Sequence, residues 1–340
     1  MNPKTNLAEK ARVSEDRLDA LRKEAAQTGK VQDHGIQPIT SPFPKPPPAT
    51  SYNGNPVLKP PTWTWQVPLY LFAGGVAGTS AVIALVAHIA GNAGLVRAAL
   101  WIAFTGALVS PPLLIGDLGR PARFLNMLRV FKLRSVMSVG AWTLTGFSTA
   151  IGLAVVCHEL ILAGYGNGFF VLLERIGEAF AALSGLILAS YTSVLLSVTA
   201  IPVWSENRIL LPAVFLAGGL GSASAVLELL GFIVPATQFI GIVASTTEIL
   251  VALLIEIRGR YVDRPLREAA VGWLVRGGGV LAGLVSLLLR LFWAHSHEAR
   301  YVAAVCFIAG ALISRFAWIA AGRVSSRDPQ ALFQIQRRER

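Results

Sequence analysis

Glu228, Glu248, Arg290 and Arg315 lie inside long apolar runs. A charge in such a place is costly and ordinarily faces a bundle interior or water. By depth, Glu228 matches Arg290 towards one end of its run, and Glu248 matches Arg315 nearer the middle. They read either as two ion pairs holding helices together or as members of a proton-conducting route, to which His158 and Glu159 would add. His88 and His158, at the ends of two runs, could together ligate a single b-type haem. His295 and His297 fall on the same side, and isolated interfacial histidines are common, so no haem is expected. The chain has no CxxC cluster, nucleotide-binding glycine loop or metal-ligand spacing. Cys157 and Cys306 sit in apolar runs as packing residues. Neither a catalytic centre nor a metal site is expected in this polypeptide.

These residues need a membrane to position them. The 340-residue chain is 54% hydrophobic and 14% charged, with mean hydropathy +0.57, against about a quarter charged residues in globular chains. Apolar runs of about 20 residues read as spanning helices, because hydrocarbon cannot satisfy a free backbone group. The sequence predicts about eight spans, near 68–90, 94–115, 135–163, 178–200, 209–233, 237–257, 273–294 and 301–322. An even number places both ends of the membrane domain on one face, here face A. Face A then carries the 116–134 hairpin, the Pro202–Arg208 turn and the loop with Arg258, Arg260, Arg264 and Arg267. Face B has little charge beyond Arg175 and Arg300. The net charge of +11 lies in loops and tails, which suits interfacial anchoring or an acidic protein partner and not nucleic acid.

The expected fold is thus an all-α integral membrane protein, with segments at 1–65, 66–200, 201–322 and 323–340. The first is a soluble, proline-rich, disordered arm in which Ser14 caps a short helix through about Arg22, and the last is a basic tail. The middle two are four-helix bundles related by a parallel repeat. AGGVAGTSAVIAL (Ala73–Leu85) and AGGLGSASAVLEL (Ala217–Leu229) share seven residues at the same offsets, in spans 1 and 5. Small-residue runs recur in any membrane bundle, but the shared order favours duplication about an axis along the membrane normal.

The distinctive loop is GDLGRPARFLNMLRVFKLRSVMSVGAW, Gly116–Trp142, with five basic residues (Arg120, Arg123, Arg129, Lys132, Arg134). Its Asp117-Leu118-Gly119-Arg120-Pro121 core makes a rigid turn in which Asp and Arg can pair or hold a carbonyl. DLGRPARFLNML with MSVGAW (Met137–Trp142) resembles the second-to-third helix connection of the NrfD/PsrC family, the membrane subunits of polysulfide-reductase-type complexes. WTWQVPLYLFAGGVAG (Trp63–Gly78) is similar to that family's first helix and SYTSVLLSVTAIPVW (Ser190–Trp204) to the end of its fourth.

The resemblance implies a membrane anchor that exchanges electrons between menaquinone and a ferredoxin-like iron–sulfur subunit, itself serving a molybdopterin catalytic subunit. It implies a bacterial inner-membrane location and no metal or haem in this chain. Carried over by position, the quinone-contacting residues fall on Gln66, Tyr70 and Tyr191, with Asp117, Arg120 and Arg123 shaping the pocket or its mouth. Gln66 and Tyr70 are one helical turn apart and share a face, and amide and phenol each offer a carbonyl a donor. The family's better-known pattern has Asn and His where this chain has Gln66 and Tyr70, which leaves proton uptake open. Orientation also stays open: positive-inside counting puts face A in the cytoplasm, whereas the resemblance puts the quinone site outside. The competing reading is a proton-coupled transporter or proton-translocating subunit without quinone chemistry, built on the parallel repeat and the buried charges.

Overall fold

The computed structural model describes residues 20, 23, 58–118 and 124–338. Of the helix expected after Ser14 only Ala20 falls among these residues, and it is helical. The proline-rich tether up to residue 57, together with Arg120 and Arg123, lies outside the described residues.

Among the described residues, eight helices are long and apolar enough to cross a bilayer: α1 (Gln66–Ile89), α2 (Ala93–Asp117), α3 (Val136–Tyr165), α4 (Gly168–Ser197), α5 (Leu210–Leu229), α6 (Pro235–Arg258), α7 (Ala270–Phe292) and α8 (His297–Ser325). A short α9 (Pro329–Arg338) follows. No strand occurs among the described residues. At 1.5 Å per residue, 20 residues reach about 30 Å, the hydrocarbon thickness, and each span has at least that many. The protein is a multi-pass membrane protein.

Several spans begin where a polar side chain can take over a free amide. Asn92 accepts from the Leu95 amide at the start of α2, Asn167 from Phe170 at α4 and Ser296 from Ala299 at α8. The expected boundaries hold within a few residues except at α4, which starts at Gly168 and not near 178. The expected span left Glu174 and Arg175 outside it and Glu178 at its edge. This stretch is helical because the two glutamates turn inward and are buried against partners described below.

Helix α1 packs against α2, α4, α5 and α8, and α5 against α6, α8, α1 and α4. Within each half the same pattern recurs: the first helix meets the second and fourth, and the third meets the second and fourth. One contact needs glycine on both sides, and a second is tight at one of its two glycines. A Cβ at Gly78 would sit 2.1 Å from the Gly185 carbonyl oxygen, and one at Gly185 would sit 2.6 Å from that of Gly78, so α1 and α4 touch backbone to backbone. A Cβ at Gly219 would lie 3.0 Å from the Gly75 carbonyl oxygen. Gly75 and Gly219 occupy the same position in the two repeat segments, so the halves meet through equivalent residues of α1 and α5.

At face A, Trp63 stacks on Trp204 with centroids 5.4 Å apart and planes 11° off parallel. The buried Trp204 indole donates to the Trp318 carbonyl at 2.8 Å, and Arg323 donates to the Trp63 carbonyl. The chain entering α1 is thereby tied to the α4–α5 connection and the end of α8.

Gly78→Ala should destabilise the protein by about 1–3 kcal/mol, the usual penalty for overpacking. Gly168→Ala, whose new Cβ meets nothing within 4 Å, should be neutral. Thermal unfolding in one detergent compares the two.

Candidate functional site

Three helices bring polar side chains together near face A. Gln66 starts α1 half-buried, and Tyr70, one turn later, is 2% exposed. A Cβ at Gly74 would stand 3.8 Å from the Ser110 hydroxyl oxygen of α2 and 3.9 Å from the Tyr70 ring, so these two side chains converge on one spot. Gly116 of α2 similarly leaves room for the Gln66 amide nitrogen, 3.8 Å from where its Cβ would be. Tyr191 of α4 fills the space left by Gly140 of α3, its ring Cζ 2.0 Å from that virtual Cβ. Tyr70 and Tyr191 lie close enough to interact electrostatically.

Gln66 Oε1 and Ser110 Oγ are buried without a hydrogen-bond partner. Leaving such a group unmade costs about 1–3 kcal/mol, so each marks a place where a water or ligand belongs. Pro111 and Pro112 follow within α2 and remove two amide donors, which leaves further helix carbonyls without their usual partners. Asp117, expected at the pocket or its mouth, is bonded to the chain ahead of α1. Its Oδ1 accepts from the Thr64 amide at 2.9 Å and the Thr64 hydroxyl at 2.7 Å, which fixes the approach to α1 beside the Trp63 stack.

The second half holds its charges by other means. Arg290 of α7 donates to both oxygens of Glu228 at 2.7 Å, with both side chains fully buried, and Arg300 adds a third contact at 3.4 Å. Arg290 also reaches the Ser286 hydroxyl. Glu248 and Arg315 make no such pair. Both flank Gly218, but Arg315 donates to the Phe215 carbonyl at 2.7 Å and lies 3.9 Å above the Phe215 ring. Glu248 Oε1 and the Arg315 Nε and Nη1 atoms have no partner.

At face B the histidines pair with the inward glutamates of α4. His88 Nδ1 lies 2.6 Å from Glu178, and His158 Nδ1 lies 2.6 Å from Glu174. Glu159 faces elsewhere: it accepts two bonds from Arg97 and one from the Trp101 indole, all at 2.8 Å, in exposed surroundings.

Residues 50–327 match the family model described as polysulfide reductase, of the NrfD type. The match covers most of the chain, from just ahead of the Trp63 stack to the end of α8. This chain belongs to the NrfD polysulfide reductase family. No curated protein matches it.

In this NrfD-family subunit Tyr70, of the expected quinone residues, meets Ser110 beside Gly74, Gln66 lies a turn away by Gly116, Tyr191 packs on Gly140 of α3, and Asp117 braces the entry to α1. Of the six residues expected on a proton route, Glu228 and Arg290 form one closed pair. Glu248 and Arg315 are neighbours without an ion-pair contact, His158 joins Glu174, and Glu159 stands apart on Arg97. Ser110, Glu174 and Glu178 were missed. Ser110 is one hydroxyl in an apolar run, and the two glutamates fall at the edge of the expected fourth span.

Glu228→Leu leaves Arg290 buried without its counter-charge and should cost about 3–5 kcal/mol. The double variant Glu228→Leu with Arg290→Met should recover most of that loss, as measured by denaturant or thermal midpoint. Recovery would assign the pair to packing.

Proposed function

We propose that this NrfD-family subunit binds a menaquinone-type quinone at the face-A end of α1, α2 and α4 and exchanges electrons with an iron–sulfur partner. The observation that carries the reading is the pair of partnerless buried groups, Gln66 Oε1 and Ser110 Oγ, beside the buried phenols of Tyr70 and Tyr191. A quinone offers carbonyl acceptors, and its quinol form offers hydroxyl donors. The Gln66 amide and the Ser110, Tyr70 and Tyr191 hydroxyls can meet either form.

The isoprenoid tail needs an apolar path. A groove of about 450 Å³ runs between α1, α2 and α5, lined by Phe72, Val76, Trp101, Ile102 and Val109 among other apolar side chains. Its wall begins two residues beyond Tyr70 on α1. Ligand pockets of this size, mostly apolar with a few placed polar groups, are the ordinary form of a small-molecule site.

Face A supplies a docking surface for the partner. Leu125, Val130, Phe131 and Leu133 are each more than half exposed, interleaved with exposed Arg129, Lys132 and Arg134. Arg208 and Arg258 lie exposed on the same face. Apolar anchors ringed by one sign of charge suit an acidic protein partner. The iron–sulfur subunit, and through it a molybdopterin catalytic subunit, would bind there. The reducible substrate belongs to that catalytic subunit. Proton movement, if coupled to this chemistry, would draw on Glu248 and Arg315, whose partnerless atoms face each other across Gly218.

Tyr70→Phe and Tyr191→Phe each remove one hydroxyl and nothing else. Each should weaken menaquinol binding about tenfold, the equivalent of one hydrogen bond of about 1.4 kcal/mol. Menaquinol-dependent reduction of the co-purified iron–sulfur subunit, followed by electron paramagnetic resonance, reads this out. Unchanged quinol titrations in both variants and in Gln66→Ala would remove the site, and a chain that never co-purifies with an iron–sulfur protein would remove the electron-transfer role.

A further inference from the structure

The face-B end of the first four helices carries a second site, independent of the quinone reading. Glu174 and Glu178 are one turn apart on α4 and share a face. Both are buried, with side chains 7% and 1% exposed. Like charges at this spacing repel, and a buried carboxylate needs a cation or several hydrogen bonds. What faces them is the end of α1, through His88, and the end of α3, through His158.

Two features show that the cluster is incomplete. Glu178 Oε1 is buried with no hydrogen-bond partner, although Oε2 holds His88 at 2.6 Å. His88, Glu174 and Glu178 also each present a ligand atom within 4.8 Å of the others. Ligand atoms around a tetrahedral ion, each about 2.0–2.2 Å from it, stand roughly 3.3–3.6 Å apart. Side-chain rotations of under an ångström or so would therefore bring the three onto one ion. A cavity of about 400 Å³, lined by His88, Asn92, Val96, His158, Glu174 and Arg175, gives the ion a route in and leaves room for water as a further ligand.

We propose that His88, Glu174 and Glu178 bind one divalent transition-metal ion of the zinc class at the face-B end of the first bundle. Imidazole nitrogen with carboxylate oxygen suits such an ion, and the absence of thiolate sets the site apart from cysteine-rich structural zinc. His158 acts as the positioning residue: hydrogen-bonded to Glu174 through Nδ1, it fixes the carboxylate as outer-shell partners of metal ligands do. The ion's double charge offsets the two glutamates, and coordination replaces the hydrogen bond between His88 and Glu178. Arg175 and the α3 terminus remain at the cavity rim. The ion would tie the ends of α1 and α4 together at the opposite face from the quinone site.

The test uses the full chain, purified in mild detergent on a tag without histidines, stripped with a chelator and dialysed against Zn²⁺. Elemental analysis should find one Zn²⁺ per chain, falling at least tenfold in affinity in Glu178→Gln and in His88→Ala. The double variant of exposed His295 and His297 to Ala should retain it. Less than a fifth of an equivalent in the wild type, or full retention in both ligand variants, would overturn the proposal. Should the variants fail to fold, Co²⁺ added to the stripped wild type decides the matter. Visible absorption of a low-coordinate nitrogen–oxygen site supports the proposal, and only the pale spectrum of hydrated Co²⁺ defeats it.

Discussion

Hydrocarbon cannot hydrate a polar group, and this chain's answer depends on how closely α1 approaches its neighbours. The small residues of α1 let it touch α4 backbone to backbone at Gly78 and Gly185, and meet its repeat counterpart α5 at Gly75 and Gly219. A helix so placed has almost no lipid-facing surface in its central turns. Any polar residue it carries therefore points into protein. Gln66 and Tyr70 enter the interior at one end and His88 at the other, so one structural decision places both candidate sites.

The two halves have the same helix neighbours but treat buried polarity differently. The second half closes its strongest charges on themselves, with Glu228 gripped by Arg290 and Arg300. Such a pair contributes little net stability against an apolar replacement, yet losing one partner is severe. Both halves also leave groups open: Gln66 Oε1, Ser110 Oγ and Glu178 Oε1 lack partners in the first, and Glu248 Oε1 with Arg315 Nε and Nη1 in the second. Open polar atoms inside a tightly packed bundle are the signature of a site whose occupant completes the hydrogen bonding. Ligand chemistry is assigned to the amino-terminal half because its open atoms stand by a buried phenol at one end and by paired histidines and glutamates at the other.

Much of this was legible in the residues. Span number, the repeat and the family resemblance follow from hydropathy and from motifs such as Asp117–Pro121, which the family match over 50–327 supports. The Gln66–Tyr70 face followed from helical spacing together with that resemblance. The start of α4 was not legible, because a hydropathy window counts Glu174 and Glu178 as water-seeking and cannot see His88, about 90 residues away, waiting to receive one of them. Ser110 was hidden for the opposite reason: a lone hydroxyl in an apolar run normally bonds its own helix, as Thr105 does to Trp101. Asp117 was read from its distinctive motif as a group of the pocket or its mouth, and in the structure it also holds Thr64.

The most direct test of the quinone assignment is photo-crosslinking with an azido-menaquinone in native membranes, followed by peptide mapping. Labelling should concentrate on the first turns of α1 around Gln66–Phe72, the end of α2 around Ser110 and the α4 segment around Tyr191, and excess menaquinone should compete it away. Labelling confined to α6–α8, or spread evenly over the lipid-facing helices, would contradict the assignment.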